Sequence, residues 1–213
     1  MNIGSPFVNF NGKIQRYSKN FEAIQGNIVQ ESMWRIPATE YKAAGYGDAD
    51  EVPEGLLVKI ATPGTRTKNS VSVTYAVGDL EICSADDTEV YGITMEKVIP
   101  AVGQDPYYKK PGQLTAFRGQ NVTVVTGDFL GIFMSKILAT GFNMASAATY
   151  APKVGIYAGL KGIPSVPGVN GVAASPAGKA VGFVVANTSG QKKFDGTTLA
   201  PDEVVVKLFL NGI

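Results

Sequence analysis

The sequence predicts an all-β fold: a small barrel or sandwich of short antiparallel strands with an extended N-terminal arm. Three observations carry this. Side chains alternate strictly from Ser70 to Val77, with Val71, Val73, Tyr75 and Val77 on one face and small or hydroxyl residues on the other. Further β-rich segments recur at 56–61, 89–95, 121–126, 129–134, 153–158, 181–186 and 203–210, separated by Gly, Pro, Asn or Asp. The chain carries 25 Gly and 12 Pro while keeping Val, Ile, Tyr, Phe and Thr plentiful, a mixture that suits many strands joined by tight turns. At 213 residues it can bury roughly 70% of its unfolded surface, so it needs no staples to fold.

Residues 1–54 read differently. Aromatic anchors at Phe7, Phe10, Tyr17, Phe21 and Trp34 stand among polar spacers with almost no alternation. Phe21, Ile24 and Ile28 fall at helical spacing, although Gly26 weakens a helix there. Residues 43–54, rich in Gly, Asp and Glu and ending at Pro53, read as a linker. The expected organisation is therefore an arm and linker over 1–54 and a β-barrel-like domain over 55–213.

Two short patterns repeat. Val77-Gly78-Asp79-Leu80 and Thr126-Gly127-Asp128-Phe129 both read as hairpin corners. Glu89 to Met95 and Lys179 to Val185 each place a Gly, Gly92 and Gly182, at the centre of a strand, where another backbone comes close or a bulge forms.

Composition removes most catalytic templates. Histidine is absent, which eliminates Ser-His-Asp and Cys-His mechanisms and His-bearing zinc sites. No phosphate-cradling loop, dinucleotide fingerprint or nucleophile elbow occurs. Cys83 is the single cysteine, so no internal disulfide forms, and without a base or cation cluster in sequence it reads as a packed small hydrophobe. Asp86, Asp87 and Glu89 are the densest carboxylates, but they lie between two expected strands, where Asp tightens a turn by local hydrogen bonding. Asp48-Ala49-Asp50 fails as a calcium loop, since Pro53 stands where Gly is needed and Lys59 where a bidentate Glu is needed. Asn121 and Asn187 head glycosylation sequons with no secretion signal beside them. The expectation is a non-enzymatic chain without cofactor or metal.

Charge gives little away about partners. Lys and Arg total 19 against 18 Asp and Glu, for a net of +1, and the basic pairs Lys109-Lys110 and Lys192-Lys193 sit among turn residues instead of forming a stripe. No apolar run approaches membrane-spanning length. Neither nucleic acid nor membrane is expected as a partner.

From Leu56 to Phe209 the chain resembles the capsid decoration, or cement, proteins of tailed bacteriophages. The likeness rests on the order of Gly78-Asp79-Leu80, Val90-Tyr91-Gly92-Ile93, Asn121 to Gly127, Tyr150-Ala151 with Val154 to Ala158, Val181 to Val185, and Val204 to Leu208. The chain departs from the shorter members by its 54-residue arm. The resemblance implies a β-barrel virion structural protein, made in the host cytoplasm and seated as a homotrimer on the capsid surface. Its partners would be the major capsid protein and copies of itself, and the arm anchors Phe7, Phe10, Tyr17, Phe21 and Trp34 would make the protein contacts. A second class open on the residues alone is a tail-associated or surface carbohydrate- or receptor-binding module, and a third is a carboxylate-only hydrolase built on Asp86, Asp87 or Glu89.

Overall fold

The computed structural model describes residues 21–99, 115–134, 152–186 and 203–210. Strand dominates these segments, and the all-β class holds: an antiparallel sheet curls into a half-barrel, accompanied by a single short helix. Its spine is β9 (Asn121–Met134), fourteen residues long. Along one edge of β9 runs β1 (Phe21–Arg35), antiparallel from Phe21↔Phe133 to Arg35↔Asn121. The opposite edge is shared end to end: β6 (Gly92–Thr94) pairs at Val124 and Val125, and β13 (Glu203–Leu210) pairs from Gly127 to Met134.

Two branches leave this spine. Beyond β13 lie β12 (Gly182–Ala186), β10 (Gly155–Ala158) and β11 (Pro164–Ser165). Beyond β6 lie β2 (Leu57–Ile60) and β5 (Leu80–Ile82). The steps β1, β9, β6, β2, β5 are all antiparallel, so β1 and β5 run in the same direction, and a parallel bridge between Arg35 and Asp79 joins the two ends. That bridge turns the curled sheet into a ring.

Outside the main sheet, β3 (Gly64–Lys68) and β4 (Val71–Tyr75) form a hairpin. A short parallel pair joins β7 (Lys97–Ile99) to β8 (Thr115–Phe117). The helix α1 (Ala38–Ala43) follows Pro37, whose fixed φ suits a helix start, and packs beneath the hairpin. Among the described residues no helix is long and apolar enough to cross a membrane.

The core is continuous. Phe21, Ile36, Tyr41, Val52, Leu57, Ile82, Ile93, Val124, Phe129, Ile156, Val184 and Leu208 belong to one buried cluster. A Leu, Ile, Val or Phe side chain taken out of water contributes about 1.5–3 kcal/mol, so this cluster is the main driving force for the fold. A satellite cluster of Ala43, Ala61, Val73 and Tyr75 seats the β3–β4 hairpin.

Several expectations change here. From residue 21 onward the expected arm and linker lie in the sheet and core: β1 pairs along nearly the whole of β9, and Tyr46 and Val52 are buried. The helical spacing of Phe21, Ile24 and Ile28 is likewise overridden by strand pairing. Alternation is faint in β1 because its register shifts twice, between Ala23 and Gln25 and between Glu31 and Trp34, and each shift turns the following residues to the other face.

The two Gly-Asp corners also differ from hairpins. At Gly127 the strand continues with φ +112, since a Cβ there would lie 2.0 Å from the Asn27 carbonyl oxygen of β1. Gly78 does sit in a turn, but that turn carries the chain from β4 to β5, which belong to different sheets. The central glycines Gly92 and Gly182 do mark close approach: a Cβ at Gly182 would meet the Lys207 carbonyl oxygen at 2.1 Å, and one at Gly92 would meet Val124 at 2.3 Å.

Gly127→Ala therefore combines left-handed strain with a backbone clash and is expected to cost more than about 2 kcal/mol in urea unfolding. Gly168→Ala, at φ +78 with nothing within 4 Å of the added carbon, carries strain alone and is expected to cost about 1 kcal/mol. Equal losses at the two positions would remove the steric account of the β1–β9 crossing.

Candidate protein-interaction surface

One polar contact lies where the ring closes. Arg35 donates from Nε to Asp79 Oδ1 at 2.7 Å and from Nη2 to Asp79 Oδ2 at 2.6 Å, a two-pronged pair suited to the planar guanidinium. Asp79 is 2% exposed, and its Oδ2 also accepts the Ala76 N–H at 2.8 Å. The Arg35 hydrogen bond holds this carboxyl below its usual range, against the upward push of burial. Beside it Glu31 accepts hydrogen bonds from Trp34 Nε1 and the Tyr91 hydroxyl, whose rings meet edge to face at 5.0 Å. Burial, and then the Glu31 bond, push the Tyr91 hydroxyl up to about 12.

A second polar assembly joins α1 to the hairpin and β5. Glu40 is fully buried, and Oε1 accepts from Lys68 Nζ at 3.0 Å and from the Ile82 N–H at 3.0 Å, while Oε2 accepts from the Tyr75 hydroxyl. Lys68 Nζ also donates to Glu81 Oε1 at 3.2 Å and the Ile82 carbonyl at 2.9 Å. Arg66 donates to Glu81 Oε2 at 2.6 Å and stacks over the Tyr75 ring at 4.3 Å. Lys59 extends the chain of charges to Asp87 at 2.9 Å. Burial raises the Glu40 carboxyl despite Lys68, and burial likewise raises Glu96, whose carboxylate accepts the Thr123 N–H at 2.6 Å.

The arrangement matches three carboxylates, Glu40, Glu81 and Asp87, with three cations, Lys59, Arg66 and Lys68, and ties α1, β2, β3, β4 and β5 together. It leaves Glu40 engaged by Lys68 and Glu81 by Arg66 and Lys68. In the acidic cluster Asp87 accepts the Ser84 N–H at 2.6 Å and braces its own turn, while Asp86 accepts the Ala173 N–H at 3.1 Å and ties that turn to a loop 87 residues away. Cys83 is buried, and burial pushes its thiol up, which suppresses the thiolate. Asp50 closes a turn on the Gly47 N–H, and Asp48 pairs with Lys42. Among the described residues no three His, Cys, Asp or Glu side chains gather as a metal site.

Of the five expected anchors, Phe7, Phe10 and Tyr17 lie outside the described residues. Phe21 is 1% exposed and packs on Phe129 with ring centroids 6.3 Å apart, so its ring belongs to its own chain's core. Trp34 is half-buried against that core. Asn121 opens β9 with an exposed side chain, and Asn187 lies outside the described residues.

Among the described residues the exposed large apolar side chains are Val29, Met33, Ile60, Val77, Leu160, Val185 and Phe209, the last two on β12 and β13. There Phe183 and Phe209 lie 5.6 Å apart, and Lys207 sits over Phe209 and pairs with Asp128. Comparison with protein-family models, curated proteins and solved structures finds no match for the chain.

Two outcomes follow. Lys68→Met strips a fully buried carboxylate of its cation and is expected to cost about 3–5 kcal/mol in urea unfolding, whereas Lys42→Met, from an exposed pair, should cost less than about 1 kcal/mol. Comparable losses would make the Glu40 assembly a surface feature. Because Asp79 titrates below its unfolded value near 3.8, its contribution is present above that pH and is lost as pH falls through the folded value. Asp79→Asn should therefore flatten the acid limb of stability below about pH 4, and an unaltered limb would assign acid sensitivity elsewhere.

Proposed function

We propose that this chain is a virion structural protein that binds the outside of a phage capsid and stabilises the assembled shell. What supports the reading is where the charged groups go: the buried carboxylates Glu40, Glu81 and Asp79 are each engaged by Arg or Lys of the same chain, and they stiffen a β scaffold that presents apolar side chains outward. The order of Gly- and Val-rich strand motifs resembles that of capsid decoration proteins. On this reading the major capsid protein and copies of the chain itself, as a homotrimer, are the partners, and the capsid surface is the place of action after synthesis in the host cytoplasm.

Cementing needs no chemistry. A ligand that binds only the assembled state stabilises it by RT ln(1 + [L]/Kd), and repetition over many identical sites multiplies a modest local energy. A second reading, a carbohydrate- or receptor-binding module, is favoured by one observation, the Phe183–Phe209 pair on the outer face with Phe209 41% exposed.

The chain is expected to cosediment with preformed empty heads and to leave free capsid protein unbound. Failure to bind heads, together with glycan-array signal lost in Phe209→Ala, would replace the first reading with the second.

A further inference from the structure

We propose that Lys68 and Glu40 condense into a side-chain amide, a covalent link between β3 and α1 that the chain forms by itself with Glu81 as the base. Lys68 Nζ lies 3.0 Å from Glu40 Oε1 and 3.2 Å from Glu81 Oε1. Nucleophile, acyl group and a second carboxylate therefore meet at one nitrogen. One carboxylate beside a lysine makes an ion pair; the second supplies a group that can take the proton and free the amine to attack the first.

Exclusion of water sets the direction. Condensation releases a water and hydrolysis consumes one, so the link forms where solvent is kept out. The Lys68 side chain is 16% exposed and that of Glu40 0%, and among the described residues no other ion-paired carboxylate is so fully closed off. The carboxylates of Lys42–Asp48, Lys97–Glu51 and Lys207–Asp128 are each more than half exposed. Burial disfavours both charges of the Lys68–Glu40 pair, and the amide removes both. Burial also raises the Glu40 carboxyl even against Lys68, which favours the protonated form that an amine attacks. Because the fold holds the two groups in contact, the step is intramolecular and carries no cost of bringing them together.

The reaction balances without a co-reactant. Lys68 passes a proton to Glu81, and the freed lone pair forms the Nζ–Cδ bond to Glu40. Charge developing on Oε1 is met by the Ile82 N–H at 3.0 Å. The Cδ–Oε2 bond then breaks, and Oε2, which accepts the Tyr75 hydroxyl, leaves as water with two of the three ammonium protons. Glu81 ends as the carboxylate it began as, paired with Arg66 at 2.6 Å. The Ile82 N–H on Oε1 and the Ile82 carbonyl, 2.9 Å from Nζ, supply a donor for the amide oxygen and an acceptor for the amide N–H. The product ties the β3–β4 hairpin to α1 across 28 positions of chain.

Mass spectrometry of the purified full chain, denatured before measurement, should read about 18 Da below the sequence mass, the loss of one water. Digestion should yield the peptides holding Glu40 and Lys68 joined to each other. Lys68→Arg keeps a cation but loses the amine nucleophile, and it should read at its full sequence mass. Glu81→Gln keeps the side chain's size but not the base, and should lower the linked fraction at least about tenfold. A parent at full sequence mass overturns the proposal, and that reading does not depend on whether either variant folds. Water loss that survives in Lys68→Arg, that maps to other residues, or that is undiminished in Glu81→Gln overturns it as well. No capsid enters the experiment, so its outcome is independent of the capsid reading.

Discussion

The Arg35–Asp79 pair closes a ring that backbone pairing alone leaves open. Four antiparallel steps from β1 to β5 bring the two ends side by side and parallel, yet a single bridge joins them. Parallel neighbours cannot be joined by a tight turn, so this closure falls to residues distant in sequence and to a side-chain contact. The buried carboxylate makes the contact directional: Asp79 has to be satisfied, and Arg35 and the Ala76 N–H are what satisfy it. The 76–79 turn is held by the same carboxylate, through the Ala76 N–H.

Glu40, in the first turn of α1, does comparable work. A carboxylate with no solvent access carries a large desolvation penalty, which is offset only because Lys68, Tyr75 and the Ile82 N–H converge on it from three strands. The satellite cluster beneath the hairpin is small, so the position of β3 and β4 is specified by polar satisfaction more than by apolar area. The main sheet is the reverse case, with a continuous apolar interior from Phe21 to Leu210.

Strand identity was legible where one face is buried and the other wet. The 203–210 segment alternates, and β13 occupies those residues; Val73 and Tyr75 point inward from β4 as the period of two requires. Gly92 and Gly182 were legible as close approaches because a central strand has little other reason to hold glycine. β1 was read as an arm since two bulges break its period, and Gly127 was read as a corner since a kinked glycine inside a strand and a glycine in a turn look alike in one dimension. Of the anchor residues, Trp34 was visible as an isolated aromatic, but its Glu31–Tyr91 setting was not, because Tyr91 is 60 residues from Glu31.

By itself the sequence determined an all-β chain, the close approaches at Gly92 and Gly182, and the loss of histidine chemistry, since these follow from local period, steric size and composition. Tertiary structure alone decided that residues 21–54 join the core, which strands become neighbours in the ring, and which carboxylates acquire cations. The physical reason is range: alternation and turn chemistry act over a few residues, whereas the Arg35–Asp79 pair and the Glu40–Ile82 bond join positions 44 and 42 residues apart, and only the closed sheet brings them within hydrogen-bonding distance.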